Sequence, residues 1–125
     1  MMTVATLPDI DTELVHLCDA MNTIPGLKTF ESCSGHGERN IRIYFRARRH
    51  RAVNRLATVV GWRQTGFDGW RIRIMAGHSG RKLIYVLEST LAGPEAYAQA
   101  EEIAPAILNR QWDPDEVHRK WAERA

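Results

Sequence analysis

Positions 31–37 read ESCSGHG, so Ser32, Ser34, Gly35, His36 and Gly37 share one short stretch. Hydroxyls beside glycines are the material of an anion-binding nest, because glycine lets a ligand approach backbone N–H groups unobstructed. His36 adds a donor near neutral pH, or a ring able to stack on a base. The plainer reading of the same residues is a tight loop whose serines bond to their own backbone. Cys33 and His36 are the types that make an activated thiolate, but the spacing supplies no third group to orient the base. No catalytic residue is assigned, and Cys33 is expected to be buried and inert. Cys33, His36, His50 and His78 have ligand chemistry without the spacing of a recurring zinc site, so no metal set is assigned either.

A second constellation lies at positions 61–67, GWRQTGF. Arg63 offers a charged fork, Gln64 an amide and Thr65 a hydroxyl to a planar polar ligand, with Gly61 and Gly66 bracketing them. Trp62 and Phe67 could stack on such a ligand, although plugging the edge of the core is the favoured role for both. His78 sits in a third stretch, Gly77-His78-Ser79-Gly80-Arg81, which echoes Gly35-His36-Gly37-Glu38-Arg39 at a distance of 42 positions. The echo suggests an internal αββ pseudo-duplication, against which stands the general preference of turns for glycine.

The elements that must hold these loops follow from hydrophobic periodicity. Ile10, Leu14, Leu17, Cys18 and Met21 recur at helical steps after Asp9 or Asp11 as cap, and Pro25-Gly26 stops the helix. His16 falls off that stripe, toward solvent. Leu27–Cys33 reads as a strand, and Ile41, Ile43 and Phe45 alternate with Arg42, Tyr44 and Arg46 in a second. Val53, Leu56, Ala57 and Val60 mark a second helix that Gly61 can end in the left-handed conformation. Trp70, Ile72 and Ile74 alternate with Arg71, Arg73 and Met75 in a third strand, and a fourth runs from Lys82 to Glu88. Gly93-Pro94 opens a third helix that Pro105 is expected to kink or divide. Asp113–Glu116 has the composition of a capping box for a terminal helix. The order predicts an α+β fold, a four-strand mixed or antiparallel sheet packed with helices, in a single domain over 1–125.

The formal net charge is only +2, yet ten arginines from Arg42 to Arg81 crowd the middle of the chain. Such asymmetry suits a phosphate-bearing partner, or is simply a solvated basic face. Two cysteines without a disulfide spacing fit a reducing compartment, and neither a signal-peptide pattern nor a membrane-length apolar run is present. The expected location is cytoplasmic, with no membrane partner.

Met21-Asn22, Pro25, Thr29 and Ser32-Cys33-Ser34-Gly35, followed by Gly61-Trp62-Arg63-Gln64-Thr65-Gly66 and a basic strand, form an ordered set. In this the chain resembles the wybutosine-synthesizing tRNA methyltransferase family over about Leu14 to Ser89. The family's motif arginine is replaced by His36, and the segment between its two motifs is shorter here. The resemblance implies the fold and strengthens Ser32, Ser34, Gly35, Arg63, Thr65 and Gly66 as site residues, without implying methyl transfer. The leading expectation is a small binding protein that captures a nucleotide-like, phosphate-bearing molecule without turnover. Its site would be Ser32, Ser34, Gly35, His36, Gly37, Arg63, Thr65, Gly66 and His78. One alternative is an S-adenosylmethionine-dependent tRNA-modifying enzyme. The other is an RNA-binding module using Arg42, Tyr44, Arg46, Arg71 and Arg73, since aromatic and guanidinium planes accept unstacked bases. No cofactor is named by the residues, tRNA is the macromolecular candidate, and self-association is left open.

Overall fold

The computed structural model describes residues 12–35, 38–61, 67, 69–76 and 83–109. A 3-10 turn, Thr12–Leu14, leads into helix α1 (Val15–Met21), followed by strands β1 (Leu27–Cys33) and β2 (Asn40–Ala47). Helix α2 (His50–Gly61), strands β3 (Trp70–Ala76) and β4 (Leu83–Ala92), and helix α3 (Pro94–Leu108) complete the order. The strands form one antiparallel sheet in the order β1-β2-β4-β3, so the two hairpins meet along β2 and β4. The architecture is α+β, as the sequence predicts, and every strand pairing is antiparallel.

One face of the sheet carries the core. Ile41, Ile43 and Phe45 of β2 and Tyr85 and Leu87 of β4 join Leu14, Leu17 and Met21, Leu56 and Val59, and Ile103 and Ile107 in one buried cluster. Each such side chain contributes roughly 1.5–3 kcal/mol by leaving water. Ala96, Ala100 and Ala104 recur at four-residue steps and are all buried, which gives α3 a smooth face against the rest of the core. Asn22 ties the end of α1 to β1 by accepting from the Thr29 N–H at 2.8 Å and donating to its hydroxyl at 2.9 Å.

Several expectations are corrected. Ala57 is exposed and Val53 only partly buried; the inward stripe of α2 is Ala52, Leu56, Val59 and Val60, which shares Leu56 and Val60 with the predicted one. Gly61 is the last helical residue and is not among the glycines with positive φ, so no left-handed cap forms there. α3 is not divided at Pro105, which lies in its last turn on the exposed side, where a lost backbone donor leaves only a solvent-reachable carbonyl. β4 continues past Glu88 to Ala92. Cys33 is half-buried and pairs with Arg42, away from the core. The caps Asp9 and Asp11, Ile10, the capping-box segment, and the glycine-histidine echo lie wholly or partly outside the described residues.

Candidate nucleic-acid interface

No described helix covers the second face of the sheet, and the register fixes what it displays. Arg42, Tyr44 and Arg46 of β2 stand opposite Cys33, Glu31 and Lys28 of β1, while Arg42 and Tyr44 stand opposite Glu88 and Val86 of β4. Arg71, Arg73 and Met75 of β3 pair with Glu88, Val86 and Ile84. The charged residues of this face are therefore Lys28, Arg42, Arg46, Arg71 and Arg73 against Glu31 and Glu88. Val86 is 0 % exposed yet stands apart from the core cluster, because the larger side chains around it close over it.

A bulge organises β1. Strict alternation from Leu27 and Thr29 would turn Glu31 and Cys33 into the core. The pairing instead slips between Thr29 and Glu31, which leaves Phe30 as the extra residue, sets Ser32 opposite core-facing Ile43 and keeps Glu31 exposed. The irregularity avoids an uncompensated buried carboxylate. It also presents Phe30, whose ring lies 6.4 Å from that of Tyr44 and 4.8 Å beneath the Arg46 guanidinium. Aromatic and guanidinium planes thus occupy one corner of the open face.

The other cations are held differently. Glu88, only 8 % exposed in its side chain, receives Arg71 at 2.7 Å and Arg73 at 3.2 Å on the same carboxylate oxygen. Among the described residues no carboxylate pairs with Lys28, Arg42 or Arg46, so their charge is the more available for a ligand. Beside Phe30 the sheet ends in a groove of about 940 Å³ lined by Gly26, Lys28, Phe30, Arg46, Arg48 and Tyr85, among others.

The glycine-serine loop sits elsewhere. Ser32 and Ser34 are buried, the Ser34 carbonyl accepts from the Tyr97 hydroxyl at 3.2 Å, and the Gly35 carbonyl accepts from the N–H groups of Glu38 and Arg39 at 3.0 Å. Gly35 has φ of 77°, and a Cβ there would meet the Asn40 carbonyl at 3.1 Å. The described part of the loop is thus a packed turn joined to α3. His36, Gly37, Arg63, Thr65, Gly66 and His78 lie outside the described residues, as do Trp62 and Gln64. Phe67 is buried in the core cluster, the role favoured for it. The structure brings Arg42, Tyr44, Arg46, Arg71 and Arg73 onto one face, whereas Phe30 and Lys28 were missed by sequence reasoning. Phe30 could have been found from the cost of burying Glu31, which demands a slip in the strand.

No family model, curated protein or solved structure matches the chain. Among the described residues no helix is long and apolar enough to cross a membrane.

Proposed function

We propose that the chain binds single-stranded RNA, with unpaired bases laid on the open face of the sheet. The observation that carries this reading is the Phe30–Tyr44 pair with Arg46 stacked on Phe30, set in a face whose charge is predominantly positive. A base inserted at this corner gains a π-face on Phe30 or Tyr44, and the flanking Lys28, Arg42 and Arg46 meet the phosphates on either side. A cytoplasmic setting goes with this reading, since both cysteines are in the reduced state.

The test is fluorescence anisotropy of a labelled ten-nucleotide oligouridine at two salt concentrations. Phe30→Ala and Tyr44→Ala should each weaken binding by about 1–3 kcal/mol, the scale of one base–aromatic stack. Arg42→Ala and Arg46→Ala should weaken binding and flatten its salt dependence, because each phosphate contact releases counterion. Binding unchanged by both aromatic substitutions would refute the reading.

A second reading, capture of a single nucleotide without turnover, is favoured by the groove beside Phe30. There the ring could take a base, with Lys28, Arg46 and Arg48 near a phosphate. A mononucleotide binding as tightly as the decamer would select it. Transfer of a labelled methyl group from S-adenosylmethionine to tRNA would select the enzyme instead.

A further inference from the structure

Round the edge of the sheet from Phe30, the chain enters α2 through a basic run, Arg48-Arg49-His50-Arg51. Arg48, Arg49, Arg51 and Arg55 line one groove of about 640 Å³ with Pro25, Gly26 and Ala52. That volume falls within the roughly 300–1,000 Å³ range of small-molecule sites. Its two sides are fixed by backbone, since the Arg48 N–H donates to the Gly26 carbonyl at 2.8 Å. Gly26 turns that wall with φ of 86°, a conformation that glycine adopts without strain.

Arg48, Arg49 and Arg51 give this groove an excess of positive charge. The first turn of α2 contains no acidic residue, and among the described residues no carboxylate pairs with Arg48, Arg49 or Arg51. Guanidinium groups gathered round one concavity repel one another, and those at the start of a helix also oppose its dipole. An anion seated among them removes both penalties. The planar forks match the oxygens of phosphate groups bidentately, which a lysine cluster would not.

We propose that this groove is a binding site for linked phosphates, separate from the aromatic corner of the sheet. Arg49 and Arg51 belong to this groove and not to the one beside Phe30, so the site does not require bases to bind the sheet. Linked phosphates could reach it from either of two sources, a free oligophosphate or nucleotide tail, or the backbone of a strand leaving the sheet. Arg48 lines both this groove and the one beside Phe30, so a strand could pass from one to the other.

Calorimetric titration of the full chain with sodium tripolyphosphate at low salt tests the proposal. The wild type should bind, and Arg49→Gln/Arg51→Gln should lose about tenfold or more, given the strength of charge-assisted hydrogen bonds. Arg71→Gln/Arg73→Gln, an equal change of charge on the sheet, should stay within about twofold of wild type if local contact rather than net charge decides. Arg49 and Arg51 are exposed, so the groove variant should remain folded by circular dichroism. Should it unfold, Arg49→Lys/Arg51→Lys keeps the charge, loses the forks and should still bind several-fold more weakly. Absence of wild-type binding at millimolar tripolyphosphate, or equal loss in the groove and sheet variants, would overturn the proposal.

The oligouridine arm distinguishes the sources. Weakening of both ligands by the groove variant identifies the strand backbone, and weakening of tripolyphosphate alone identifies a free oligophosphate. Phe30→Ala should leave tripolyphosphate binding unchanged, so failure of the sheet reading and failure of this site give different results.

Discussion

Glu88 sets how much of the open face is available to a ligand. Its enclosed carboxylate holds Arg71 and Arg73, so their positive charge is partly spent within the protein. Glu88→Gln should lower stability by about 1–2 kcal/mol through weakened charge-assisted bonds, the arginines being too exposed for a larger effect. The same change should tighten oligouridine binding and steepen its salt dependence, as two cations are released toward phosphate. Looser binding by a folded Glu88→Gln would contradict the assigned polarity of this face.

His16 makes a different, pH-dependent contact. Its Nδ1 lies 2.9 Å from Glu101 Oε2, and the hydrogen bond and charge of Glu101, helped by Asp19, hold the imidazolium above its ordinary value of 6.5. A raised folded value means that the stabilisation is fully present below pH 6.5 and is lost as pH rises through the folded value. NMR titration should show His16 above 6.5 and Glu101→Gln bringing it down; identical titrations would exclude the pair in solution.

At the scale of elements, alternation located β2 and β3 because each has one apolar and one largely basic face. Strand Leu27–Cys33 was legible to its ends, but not which residues face inward, because a bulge at Phe30 depends on its partner strand rather than on local propensity. The stripe of α2 was misplaced at Ala57 for a related reason, since a small apolar residue carries little information on burial. The role of Asn22 in the fold, which no periodicity signals, is to lock α1 to β1. Asn22→Ala should cost about 1–2 kcal/mol in urea unfolding by removing both bonds to Thr29. Gly69 joins the hairpin ends with φ of 91°, and a Cβ there would meet the Thr90 hydroxyl at 2.7 Å. Gly69→Ala should therefore destabilise by about 1–3 kcal/mol, the scale of local backbone strain. An unchanged midpoint in either variant would remove the contact from the account.

At the scale of the molecule, the described helices gather on one side of the sheet, and none of them covers the opposite side, which displays Arg42, Tyr44, Arg46, Arg71 and Arg73. That basic face could be read from alternation alone. The arginine groove could not, because Pro25 and Gly26 reach Arg48–Arg55 only once β1 and β2 pair and the Arg48 N–H bonds to Gly26. The most direct measurement of the central claim is a perturbation map of the isotope-labelled protein by two-dimensional NMR, titrated with oligouridine. The account predicts that the largest shifts fall on outward residues of the sheet, with Phe30, Tyr44, Arg42 and Arg46 first and the α1–α3 surface around His16 and Glu101 silent. Shifts confined to the helical side, or none at saturating oligonucleotide, would contradict it.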